Sequence, residues 1–162
     1  MEKEKLDFMK YFCEPKDFLE KKVLSFPIQG DDLALMGKGN LTENVYIVNV
    51  NRKRCTFKRI TYQNRLDKTG IILARLDIDT KPHRNPDGTQ VGGTHLHLYQ
   101  DGFGDKMAFA LDDVENIQKI LPTYKPIKLK DGEHLNNFQL FARFCGFTNL
   151  PQFQQVLEMP LY

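Results

Sequence analysis

The chain holds four histidines, and three of them, His83, His95 and His97, fall within a stretch of fifteen residues. Between them lie Asn85-Pro86-Asp87-Gly88 and Gly92-Gly93-Thr94, the densest group of turn formers in the sequence. Imidazole titrates near neutral pH and binds most transition metals, so three rings gathered in this way mark a candidate site. Two imidazoles on a rigid strand can divide the roles of proton acceptor and donor. A nearby cation then stabilises charge on a phosphate, and a carboxylate fixes a ring tautomer. Arg75, Asp77 and Asp79 precede the cluster and are of the right types. A set of this kind cleaves RNA without a metal, because the 2′-hydroxyl supplies the nucleophile. On this reading His95 and His97 are the acid–base pair, His83 an auxiliary donor, Arg75 the phosphate clamp and Asp77 the orienter. No metal and no cofactor is expected.

Two other readings of the same residues stay open. His-x-His on a strand aims both rings at one point, and His83 or a carboxylate completes three ligands for Zn²⁺, Mn²⁺ or Fe²⁺. Alternatively, the histidines tie a long loop to the sheet and have no chemistry. His134 stands apart at the start of a polar helix and reads as solvated.

The elements that must position these groups are legible to different degrees. In residues 71–79, Ile72, Ala74, Leu76 and Ile78 face one way and Arg75, Asp77 and Asp79 the other. In the following strand His95, His97 and Tyr99 oppose Leu96 and Leu98. Antiparallel pairing of the two would gather Arg75, Asp77, Asp79, His95, His97 and Tyr99 on one surface, with His83 hung over its end. Residues 44–50 and 54–62 read as a hairpin around Asn51-Arg52-Lys53. Residues 23–28 read as an edge strand because of Pro27. Residues 29–40 read as a loop whose Gly37-Lys38-Gly39 lacks the other parts of a phosphate cradle. A helical pattern over 3–22 is broken by Pro15, and a short strand is expected over 106–110. Two more helices are expected, over 112–121 with Asp112 as cap and over 133–144 with a stop at Gly146. Phe138, Phe141, Phe144 and Phe147, with Leu140 and Phe153, have the spacing of core packing. The expected fold is α+β: a single twisted antiparallel β-sheet with an N-terminal helix and two C-terminal helices, one domain over 1–162.

At 162 residues the chain can bury a sizeable core, and a net charge of +2 is too small to argue for nucleic acid by itself. The distribution is less even. Arg52, Lys53, Arg54, Lys58, Arg59, Arg65, Lys68 and Arg75 share their stretch with only one acid, Asp67. Such a segment can meet phosphates, although a solvated strand face has the same composition. Arg52, Lys53, Arg54 and Arg59, with Tyr99 as a base-stacking ring, are therefore candidate substrate-binding residues. Cys13, Cys55 and Cys145 are scattered, as expected of reduced thiols in a cytoplasmic protein. Neither a signal peptide nor an apolar run near the roughly 20 residues of a membrane span is present, so no membrane partner is expected. The expected state is a monomer or homodimer.

Four segments carry a family resemblance: Thr61-Tyr62-Gln63-Asn64-Arg65, Ala74-Arg75-Leu76-Asp77-Ile78, His83-x-Asn85-Pro86-Asp87-Gly88, and His95-Leu96-His97-x-Tyr99-x-x-Gly102-Phe103-Gly104-Asp105-Lys106. The pattern is similar to a small bacterial family, a domain of unknown function common in Firmicutes and their mobile elements. It spans most of the chain from the second strand to the last helix, and the histidine block is its most specific part. The family pattern continues Lys-Trp-Ala, whereas Met107 stands at the tryptophan position here and the chain has no tryptophan. Retained activity and reuse for binding therefore both stay open. The resemblance implies a mobile-element or prophage setting, where small proteins are mostly toxins, antitoxins and inhibitors of host defence. The expected function is a toxin-type, metal-independent endoribonuclease acting on RNA. The alternative is a non-enzymatic phage inhibitor of anti-CRISPR type that binds a host protein such as a nuclease.

Overall fold

Period-two alternation in the central strands separates an apolar sheet face from a polar one, and this division organises the molecule. The computed structural model describes residues 5–53 and 56–154. In chain order the elements are α1 (Phe8–Cys13), β1 (Lys16–Phe18), β2 (Leu24–Ser25), β3 (Asp32–Gly39), β4 (Val45–Asn51), β5 (Ile60–Leu66), β6 (Ile72–Ile78), β7 (His83–Arg84), β8 (Gln90–Val91), β9 (His95–Leu98), β10 (Ala108–Phe109), α2 (Val114–Gln118), α3 (His134–Phe144) and β11 (Phe153–Gln154). Among the described residues, seven strands form one sheet in the order β1-β3-β4-β5-β6-β9-β10, and its pairings are antiparallel. A small β7–β8 hairpin and a parallel β2–β11 pair accompany it.

The apolar face carries Tyr46, Val48 and Val50 from β4, Ile60, Tyr62 and Leu66 from β5, Leu76 from β6, and Leu96 and Leu98 from β9, all buried. Phe138 and Phe141 of α3 cover it. Tyr62 stacks on Phe141 with ring centres 5.8 Å apart, and its hydroxyl donates to the His134 carbonyl at 2.7 Å. Burying each such side chain contributes about 1.5–3 kcal/mol. A one-residue slip would turn the whole row to the other face, so this packing fixes the register. The register in turn dictates what shares the polar face: Thr61 opposite Asp77, Gln63 opposite Arg75, Arg75 opposite His97, and Asp77 opposite His95.

Several expectations are corrected. Residues 29–40 are largely strand: β3 pairs with β4 from Asp32↔Asn51 to Lys38↔Val45. Its glycines look like loop residues but are there to make room. A side chain at Gly37 would strike the Phe147 ring, and one at Gly39 the Glu14 carboxylate. The N-terminal helix is confined to α1, capped where Asp7 accepts from the Lys10 N–H at 3.2 Å and ended ahead of Pro15. The chain then enters the sheet as β1. Strand β5 begins at Ile60, and Arg54 lies outside the described residues. Helix α2 is short, with Asp113 in place of Asp112 as its cap. His134 is buried, with Nε2 donating to the Phe57 carbonyl at 2.9 Å. The aromatic spacing of α3 does mark core: Phe138, Phe141 and Phe147 are buried. Among the described residues, no helix is long and apolar enough to cross a membrane.

Candidate functional site

The polar face, the β7–β8 hairpin and the turn before β10 together build the site. The segment His83-Arg84-Asn85 lies against residues 106–108. His83 Nε2 donates to the Lys106 carbonyl at 2.7 Å, while Asn85 accepts from the Ala108 N–H at 2.8 Å and donates to its carbonyl at 2.9 Å. Gly88, at φ +88°, closes the loop behind it. On β9, His95 Nδ1 donates to the Gly92 carbonyl at 2.6 Å and His97 Nδ1 to the Asp105 carbonyl at 2.7 Å. A carbonyl only accepts, so all three rings have one nitrogen assigned as N–H by the backbone.

The remaining nitrogens meet charged side chains. His95 Nε2 lies 3.0 Å and His97 Nε2 3.4 Å from the same oxygen, Asp77 Oδ2. Asp77 Oδ1 accepts from the Thr61 hydroxyl at 3.1 Å. Arg75 Nη2 donates to His97 Nε2 at 2.9 Å, and its Nη1 pairs with Asp105 at 3.2 Å. Its Nε lies 3.2 Å from Asp77 Oδ1, out of line for a hydrogen bond, so that contact is ionic. The three imidazole ring centres are 4.7–5.7 Å apart. Burial acts to raise the Asp77 carboxyl, but its contacts with His95, His97 and Arg75 outweigh this and hold it well below the usual carboxylate range. Burial pushes the His97 imidazole down, and the Arg75 charge adds to the effect.

A polar cavity of about 440 Å³ opens beside this network, with Asp77, His95 and Arg75 at its floor. Arg59, Thr61 and Gln63 line one side, and Lys81 and His83 line another. The structure thus brings together five of the expected site residues: His83, His95, His97, Arg75 and Asp77. They do not stand equally. His83 is half-buried at the cavity wall, whereas His95 is 1% and His97 0% exposed.

The expected substrate-binding residues divide. Arg59 lines the cavity. Arg52 is buried, and its guanidinium donates to the Pro27 and Phe57 carbonyls at 3.0 Å, so it joins chain segments and offers nothing to a ligand. Lys53 is exposed and lies 3.5 Å from Asp32. Tyr99 is outside the cavity lining; it stacks on Phe8 at 6.4 Å and donates to Asp101. Asp79 leaves the strand with φ +54° and is also outside the lining. Sequence reasoning missed Asp105 and the carbonyls that orient the rings. It also passed over Thr61 and Gln63, which the alternation of β5 does signal.

Asp77, His95 and His97 each offer one potential ligand atom, all within 4.8 Å of one another, so these three residues have the composition and proximity to hold a metal ion. No curated protein and no solved structure is significantly similar to the chain. A family model described as "Family of unknown function (DUF6978)" matches residues 6–149, a span that includes every residue of the cluster. The chain belongs to the DUF6978 family.

Proposed function

We propose that this protein is an endoribonuclease of toxin type whose histidine-centred site cleaves the RNA phosphodiester. The observation that carries the reading is one polar cavity shared by Arg59, Arg75, Lys81, two imidazoles and an ionised, buried carboxylate. Three cations facing one pocket suit a phosphate, which they would hold and whose developing charge they would stabilise. The three imidazoles do not have equal access to a substrate. His83 is at the wall, and with its Nε2–H committed to Lys106 it has Nδ1 left to take the 2′-hydroxyl proton; the 2′-oxygen then bonds to phosphorus, the P–O5′ bond breaks, and the 5′-oxygen leaves with a proton drawn from solvent. His95 and His97 turn their free nitrogens to Asp77 and Arg75. His95 in the floor and His97 buried behind it help hold Asp77 and Arg75 in place beneath the scissile phosphate, which leaves the proton transfer to His83. A mobile-element setting is part of this proposal.

The test is cleavage of end-labelled RNA by the full chain. His83→Ala is expected to lower the rate about 10²–10⁴-fold, the usual contribution of one general acid or base. Expression of the wild type should arrest growth of a bacterial host, and His83→Ala should relieve the arrest. Absence of RNA cleavage by the folded wild type would overturn the reading. Harmless expression together with stoichiometric capture of a host nuclease would replace it with the inhibitor.

A further inference from the structure

The site's proton inventory leaves one place unaccounted for. His97 Nδ1 carries a hydrogen because it faces the Asp105 carbonyl, and its Nε2 is bare because it faces Arg75 Nη2, which only donates. The 3.4 Å approach of that bare nitrogen to Asp77 Oδ2 therefore sets two lone pairs against each other. His95 differs in that no arginine among the described residues faces its Nε2, which lies at hydrogen-bonding distance from Asp77 Oδ2. With Nδ1–H committed to Gly92, a neutral ring would present a bare Nε2 to the same oxygen at 3.0 Å. Two imidazole nitrogens and a carboxylate oxygen thus converge below the cavity beside the Arg75 guanidinium, a set of donor atoms that a proton on His95 Nε2 or a metal ion would bridge.

We infer that Asp77, His95 and His97 form the binding site of a divalent transition-metal ion of the Zn²⁺ or Fe²⁺ class. Ligand atoms at about 2.0–2.2 Å from one ion lie about 2.9–3.5 Å apart between octahedral and tetrahedral angles; the two separations to Asp77 Oδ2 are 3.0 and 3.4 Å, and all three ligand atoms lie within 4.8 Å of one another. The outer contacts suit such an ion. Metal-bound imidazoles characteristically donate their second N–H to a carbonyl or carboxylate, which fixes ring orientation and raises ligand basicity, and both rings do so here. Two nitrogens and one carboxylate favour zinc or iron(II) over magnesium or calcium, which prefer oxygen ligands. Asp77 and His95 line the cavity, so the ion's remaining positions would face it. Arg75 now occupies the free corner at His97. Its Nη1 already reaches Asp105, which gives the guanidinium a place to retreat when an ion enters. The inference rests on the side chains alone and replaces the metal-free division of roles expected from the sequence. It leaves His83 as the proton-transfer group.

The experiment is titration of the chelator-treated full chain with Zn²⁺, followed by calorimetry and by the shift in melting temperature, with no RNA present. One saturable Zn²⁺ site per chain is expected, with a higher melting temperature and no comparable response to Mg²⁺. Substitutions among the outer contacts of metal sites alone weaken binding 10–100-fold, so His95→Gln or Asp77→Asn should weaken it by about 100-fold or more. Co²⁺ titration of the wild type gives a second readout that needs no variant: ligand-field bands without thiolate charge transfer, since the ligands are nitrogen and oxygen. Absence of saturable Zn²⁺ binding, binding unchanged in both variants, or a thiolate signature would each overturn the inference. RNA cleavage is measured separately, so a metal site without ribonuclease activity would sink the proposed function and leave this inference standing.

Discussion

Arg52 and Arg59 are seven positions apart in the same basic stretch and have opposite fates, which shows how little composition says about a single residue. Arg52 is sealed, with its guanidinium spent on backbone carbonyls, while Arg59 lines the cavity. Arg52→Ala should therefore cost about 1–3 kcal/mol of stability for the buried carbonyls left without a donor. Arg59→Ala should leave stability within about 0.5 kcal/mol of wild type. If it meets a phosphate, it should weaken RNA binding and reduce the slope of log K against log salt by about one. Urea unfolding and a salt series of binding isotherms separate the two effects. Equal stability loss in both variants would contradict this assignment. At this scale the sequence pointed to five of the clustered residues and could not reveal their partners. The groups that orient the histidines are carbonyls of Gly92, Asp105 and Lys106, and a carbonyl has no residue type to read.

The His83–Val91 hairpin is the element through which local sequence becomes site geometry. Asn85 satisfies both backbone groups of Ala108 from a buried position, in parallel with the His83 bond to Lys106. Asn85→Ala would strand a buried N–H and C=O, at a cost of about 1–3 kcal/mol each. It should also speed hydrogen exchange at the Ala108 amide and lower cleavage through the loosened His83. Unchanged exchange at Ala108 would show that the hairpin is held by something else. Gly93 is a second fixed point, because a side chain there would strike the Thr80 carbonyl where the two chain segments cross. Gly93→Ala should destabilise by about 1–3 kcal/mol, read as a lower urea midpoint; a wild-type midpoint would contradict it. Strands β6 and β9 were legible because polar and apolar residue types alternate from Ala74 to Ile78 and from His95 to Leu98, even though all four residues of β9 are buried. Strand β3 was hidden because its two glycines give up their side-chain space to Phe147 and Glu14, partners distant in sequence. Tyr99 followed the alternation on paper, yet it lies just past the end of β9 and turns to Phe8.

At the scale of the whole molecule, one sheet face is filled by helices and aromatic side chains, and the other is left polar for the cavity. Lys16 helps hold the filled side together, with its buried ammonium donating to the Phe12, Glu14 and Cys145 carbonyls at 2.7–3.0 Å. Nothing in the sequence marks this lysine as buried, because its three acceptors are again backbone. Burial pushes it down from 10.5 to about 8, so the folded chain releases that proton earlier than the unfolded chain does. Above pH about 8 the unfolded state holds more protons, and stability should rise with pH. Cys145, pushed up from 9.0 to about 12 by burial, acts in the opposite sense above pH about 9. The urea midpoint should therefore climb between about pH 8 and 9 and then level or fall. Lys16→Met should lower the midpoint and abolish the climb, and a flat wild-type profile over this window would contradict the assignment.

Under the proposed function, one cavity cleaves RNA with the 2′-hydroxyl as nucleophile and His83 as the group that takes its proton. The most direct measurement is mass spectrometry of the products formed by the full chain from an RNA and from the same strand carrying a single 2′-deoxy residue at the cut site. Expected are a 2′,3′-cyclic phosphate terminus from the RNA, no cleavage at the deoxy position, and about 10²–10⁴-fold slower formation of the cyclic phosphate in His83→Ala. Cleavage of the deoxy strand at the same rate, or products unchanged in His83→Ala, would contradict it.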